Sequence, residues 1–169
     1  MTTDRVVLTL ATLAFGLGVS LLMLRGWRSR VRRQADLPPP PVAPATEGDV
    51  VVPAVEGLFV GTTFAGDWLD RVAVHGLSSR SPGWLTVRTD GVLLERDSGD
   101  DVYVPLRAVR SASVGDALAG KVVGKGGLVL VDWQLGDRLL TTGFRADDHQ
   151  QHRRIAAALT ALLPVEEAS

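Results

Sequence analysis

The sequence predicts one N-terminal transmembrane helix followed by an all-β barrel of about seven antiparallel strands, capped by one amphipathic helix. Three observations predict it. Val6 to Leu24 is an uncharged apolar run. From Leu58 to about Asp147 short β-type runs alternate with turn signals, with no helical pattern between them. From Asp148 to Leu163 the apolar residues switch to helical spacing.

At 1.5 Å per helical residue the first run reaches roughly 28 Å, close to the roughly 30 Å of a bilayer's hydrocarbon layer. A secretory signal peptide is the main rival. It needs a basic leader, a short core and a small-residue cleavage site. Here the leader holds Arg5 beside Asp4, and five arginines stand where cleavage would fall. A lipoprotein signal needs a cysteine, and the chain has none. A buried soluble helix is disfavoured because the run is apolar on every side. Arg25, Arg28, Arg30, Arg32 and Arg33 follow it, and positive charge stays cytoplasmic, so the expectation is an inner (plasma) membrane protein with its N-terminus outside and its C-terminal domain inside. Trp27 suits the headgroup layer, and the arginines mark orientation and the membrane interface. Gly16, Gly18 and Ser20 do not form a GxxxG pair, so nothing supports a homo-oligomer through this helix.

These signals divide the chain into a short outer segment 1–5, a span 6–24, a basic juxtamembrane segment 25–33, a Pro-rich linker 34–55, a domain 56–164 and a tail 165–169. The net charge of −1 is small, and residues 58–163 carry as many acidic as basic side chains. Such a balance offers no electrostatic footprint for nucleic acid. Without cysteines there is neither a disulfide framework nor thiolate chemistry. Arginine-rich, lysine-poor composition with abundant Ala, Val and Gly is what a GC-rich genome encodes. Pro38-Pro39-Pro40-Pro41 favours extended polyproline II, which makes the linker a semi-rigid spacer. Its rival role, a proline-rich ligand for a partner, lacks a flanking arginine or aromatic residue.

Within the domain, Leu58–Phe64 and the alternating Arg71–His75 read as strands. Pro82-Gly83 reads as a break before Trp84–Arg88. Thr89-Asp90-Gly91 supplies a hairpin turn into Val92–Glu95. Asp97–Asp100 turns into Val102–Leu106, where Pro105 marks an edge or an end. Val109–Val114 alternates weakly and leads into a glycine-rich loop. Leu128–Gln134 and Arg138–Phe144 form another hairpin through Leu135-Gly136-Asp137. In the final helix Ile155, Ala156, Leu159, Leu162 and Leu163 make one stripe, with Arg153 and Arg154 off it. Asp147 is the expected N-cap, with Gln150 in the capping-box position, and Pro164 follows the last periodic residue. The helix is expected to plug an open barrel end, each of Ile155, Leu159 and Leu162 contributing roughly 1.5–3 kcal/mol.

The runs Leu85–Glu95, Val104–Val109 and Leu140–Phe144, with this order of strands and one C-terminal helix, resemble the small membrane-anchored bacterial PH-like (pleckstrin-homology-like) proteins of actinobacteria. The likeness covers almost the whole chain and lies in hydrophobic order and turns. It implies one span and one PH-like domain used for binding or scaffolding. It implies no common catalytic activity and supplies no active-site residue.

Candidate chemistry is sparse. Gly115 to Lys121 matches seven places of a P-loop, but Val122 stands where a hydroxyl must reach Mg²⁺, and strand-like residues follow where a helix is needed. His149 and His152 beside Asp147 and Asp148 suggest a metal face, yet a solvated first helical turn with capping aspartates explains them better. His75 has no visible partner. Ser78, Ser79 and Ser81 lack a nucleophile-elbow context. The sequence thus names no catalytic, cofactor or metal residue. The segment Ala65–Gly83 sets Arg71 and Arg80 against Asp67 and Asp70, a poor anion site. Lys121 and Lys125 are the candidate contacts to an anion or lipid headgroup. The expected function is a non-enzymatic tether or adaptor at the lipid bilayer, binding a protein partner and no nucleic acid. The alternatives are lipid-headgroup or small-ligand sensing, or service as accessory subunit of a membrane transporter.

Overall fold

The computed structural model describes residues 2–46, 48–115, 117–118, 121–122 and 127–164. The chain divides after Asp36 into two units.

The first unit is helix α1, Thr2–Arg33. It continues past Leu24 through the basic segment, because arginine is a good helix former and no proline intervenes. From Arg5 to Arg33 it is long and apolar enough to cross a membrane. The hydroxyls of Thr9, Thr12 and Ser20 donate to the carbonyls of Arg5, Leu8 and Gly16 at 2.8–2.9 Å. The polar groups inside the apolar run are therefore satisfied by the helix itself, as a lipid environment demands.

The second unit comprises β1 (Val50–Phe64), β2 (Asp67–Arg71), β3 (Ser81–Arg88), β4 (Gly91–Arg96), β5 (Val102–Pro105), β6 (Val109–Gly115), β7 (Ala117–Leu118), β8 (Lys121–Val122), β9 (Leu128–Leu135), β10 (Arg138–Ala146) and α2 (His149–Leu162). A 3-10 turn, Leu106–Ala108, joins β5 to β6. One antiparallel sheet runs β5-β4-β3-β1-β10-β9-β6, with β2 paired to β1, and β7 pairs with β8 separately. This is the predicted architecture of about seven strands and one helix.

Strand β1 joins the two halves of the sheet. It pairs with β3 from Val50 to Phe59 and with β10 from Gly57 to Phe64. The register with β10 slips between Phe59 and Gly61, a bulge that bends the strand. Phe59 consequently enters the main core while Val60 joins Leu118 and Leu128 in a second, smaller cluster. Gly61 sits at φ +134°, a conformation that side chains rarely adopt.

The main core gathers alternate residues of both halves, including Phe59, Leu85, Val131, Trp133 and Phe144. Helix α2 lays Ile155 and Leu159 on it, both fully buried. Trp133 is also fully buried, and its Nε1–H donates to Thr142 Oγ1 at 2.8 Å. The Thr142 and Thr62 hydroxyls bond each other at 2.8 Å, so the indole's polar edge is satisfied inside the sheet.

Several local expectations change. Strand β1 starts at Val50, ahead of Glu56, and Leu37 in the Pro-rich segment is already buried in the main core. Residues 72–80 are not a strand. His75 (φ 55°) and Gly76 (φ 65°) turn the chain left-handed there, and Val72 and Leu77 anchor the loop in the core. Pro82 and Gly83 lie within β3, with Pro82 opposite Leu58 of β1. The N-cap of α2 is Asp148, whose carboxylate accepts from the Gln150 amide at 2.9 Å. Asp147 stands one residue ahead of the cap, and its amide donates to Glu56 O at 3.1 Å, continuing the pairing with β1.

Candidate functional site

Strand β6 is an outer strand of the sheet, paired on one side with β9. Beyond its other side the C-terminal turn of α2 leans over. Thr160 Oγ1 donates to Ala156 O within its own helix at 2.8 Å and stands 3.4 Å from Ala112 O. Between strand and helix lies a groove of about 540 Å³ whose walls include Val109, Ala112, Thr160, Leu163 and Pro164. Arg110 and Ser111 stand at its rim and are tied to β9. Arg110 donates to Gln134 at 2.9 Å, and Ser111 to Asp132 at 2.7 Å. An apolar floor beside an outer strand suits an extended segment, which would add main-chain hydrogen bonds and seat alternate side chains.

The sequence pattern of the family described as "Bacterial PH domain-like" matches residues 37–160. The chain belongs to this family. Among solved structures, a chain of "The 8S snRNP Assembly Intermediate" shares the PH-like chain's fold with a TM-score of 0.50. At 10% sequence identity the likeness covers 78% of this chain and 95% of that one. No curated protein matches significantly. Domains of the PH-like kind are in general binding modules without catalysis.

The structure of the PH-like domain places the predicted residues as follows. His152, expected at a solvated surface, is fully buried. Its Nε2 accepts the Ala146 amide at 2.9 Å, so one of its two ring nitrogens already serves the backbone. The correction has a simple cause: His152 is one turn ahead of Ile155 and Ala156 and shares their buried stripe. Among the described residues no cluster of three or more His, Cys, Asp and Glu could hold a metal. The described residues of the P-loop-like stretch belong to β6, β7 and β8, with Leu118 opposite Lys121, and none of them is helical. Leu118 is buried and lies so close over β10 that a Cβ at Gly143 would overlap it. Lys121 belongs to β8, while Lys125 lies outside the described residues. Ser81 is buried, and its Oγ donates to Pro82 O and accepts the Ser98 amide, tying a turn to β3.

In α1, Arg25, Arg28 and Arg32 share one face, with Leu21 and Leu24 ahead of them. Arg33 and Trp27 are exposed, and Arg30 lies in the same helical stretch.

Two contacts were not legible in the sequence. His75 Nε2 is 2.7 Å from Leu37 O, a partner 38 residues away. Arg96 is buried with its guanidinium 4.9 Å from the Phe59 ring. It donates to Gly76 O at 2.8 Å and to Asp100 O at 2.6 Å, which fixes the turn that carries His75. Burial lowers its pKa from the ordinary arginine value, and Asp100 and Asp101 oppose that shift. No local pattern announces either contact, because both partners are distant in the chain or are backbone carbonyls.

Proposed function

We propose that this protein is a membrane-tethered, non-enzymatic adaptor that holds an extended segment of a protein partner along β6. The observation carrying this reading is the groove of about 540 Å³ between the outer side of β6 and the end of α2. Family membership supports a binding role, and the length and apolarity of α1 support the tether. The arginines after Leu24 favour a cytoplasmic domain by the positive-inside rule.

The test compares the full chain with an Ala112→Arg variant, both recovered from solubilised membranes. A stoichiometric protein partner should accompany the natural chain and be lost with the variant, while the domain's melting temperature stays within a few degrees. Equal recovery by both chains, or no partner with either, overturns the assignment of the groove. Carbonate extraction tests the tether separately, since a peripheral protein would be released.

A further inference from the structure

The segment after Leu37 has no regular secondary structure, yet it is seated on the domain. Leu37 is 4% exposed and belongs to the main core. Its carbonyl is latched by His75. Pro38 lies against the β9–β10 turn, 3.2 Å from where a Cβ of Gly136 would stand. From Leu37 onward every third residue turns inward. Pro40 and Ala43 are half-buried, whereas Pro38, Pro39, Pro41, Val42 and Pro44 are exposed. A period of three is that of a polyproline II helix.

Beneath the segment is the outer face of β4 and β5. Leu93 and Tyr103 oppose each other across these strands. Both are buried, but neither belongs to the main core, whose inner face is taken by Val92, Leu94, Val102 and Val104. A groove of about 490 Å³ has Pro39–Ala43 along one wall and His75, Leu93 and Tyr103 along the other, with Asp100 and Asp101 also lining it. A second hollow of about 380 Å³ again has Pro41, Val42 and Tyr103 in its lining. The Tyr103 hydroxyl donates to Asp90 O at 2.9 Å, which sets the ring's position.

We propose that the outer face of β4 and β5 is a polyproline-binding groove, occupied in the resting chain by its own segment Pro38–Pro44. The tract carries no aromatic residue, and the domain supplies one in Tyr103. A preformed polyproline II segment loses little conformational freedom on docking, so modest contacts suffice to hold it. Because the tract is covalently attached, its effective concentration is of millimolar order, which excludes a dilute competitor. While it is docked, only Gln34–Asp36 separate it from the end of α1. Its release adds residues 37–44 to that connection, roughly 25 Å at 3.1 Å per residue.

Tyr103 is the sole tyrosine and reports on the groove. Burial, with Asp90 adding to it, pushes its phenol above the usual value, and Arg107 and Arg88 pull the other way. The experiment uses the full chain in nanodiscs and a second chain carrying Pro38→Gly, Pro39→Ser, Pro40→Gly and Pro41→Ser. The probe is a synthetic peptide with the sequence of residues 37–44. Calorimetry should detect no binding to the natural chain and saturable binding to the substituted one. The ultraviolet titration of Tyr103 should move towards the ordinary tyrosine value in the substituted chain and return with peptide. An unmoved titration, or no peptide binding by the folded substituted chain, overturns the proposal. Should that chain not fold, His75→Ala weakens the latch alone. It should then bind the peptide at least tenfold more tightly than the natural chain, and equal exclusion by both chains overturns the proposal.

Discussion

The sheet ends in two outer strands, and they are treated differently. β5 is four residues long, entirely buried and closed by Pro105, and the proline tract runs beside it. β6 is seven residues long and mostly exposed or half-buried, with the last turn of α2 beside it. An outer strand is a template for unwanted pairing, and proteins blunt it by shortness, proline or a covering segment. β5 has all three. β6 has neither shortness nor proline, and on its free side the last turn of α2 covers it only in part, with Thr160 Oγ1 3.4 Å from Ala112 O. One border of the sheet is thus covered within the chain, and the other is the one we propose for a partner segment.

Three substitutions sharpen this contrast. The largest effect belongs to the core face of α2, the helix whose last turn borders the β6 groove. Leu159→Ala removes a fully buried side chain and should cost about 2–5 kcal/mol. Urea unfolding of the full chain in micelles, followed by tryptophan fluorescence, measures it. A loss below about 1 kcal/mol would contradict the tight packing of α2 on the core.

On the β5 side the effect is smaller and depends on pH. Tyr103→Phe loses one hydroxyl bond to Asp90 O, worth about 1 kcal/mol. The folded-state pKa of Tyr103 is raised, so its stabilising contribution is complete below the unfolded value of about 10. It fades as pH rises from there through the folded value. The natural chain should therefore lose stability over that alkaline window more steeply than Tyr103→Phe. Parallel stability profiles for the two chains would refute the assignment.

The smallest effect is expected at the rim of the open strand. Arg110→Ala deletes an exposed bond to Gln134 and should change stability by no more than about 0.5 kcal/mol. A larger loss in a thermal melt would mean that β6 is already part of the domain's supporting structure.

Periodicity made much of this legible. The alternation of β9 and β10 and the stripe Ile155–Leu159 were readable because each residue's side is set by its immediate neighbours. The Asp-Gly turn after Arg88 was readable for the same reason. Residues 71–75 misled because Arg-Val-Ala-Val-His has a strand's alternation. The backbone turns left-handed at His75 instead, where Gly76 and the donor Arg96 hold it. His152 misled in the opposite sense, since a polar type occupied a core position and its partner was a backbone amide.

Local chemistry alone therefore determined the apolar span, the number and order of most strands and the closing helix. Tertiary structure decided which outer strand is the longer and more exposed, where His152 and Arg96 are buried, and where Leu37 is seated. The physical reason lies in range. Helical stripes, strand alternation and turns depend on residues a few places apart, whereas the seat of Leu37 depends on His75 and on core residues from the far end of the chain.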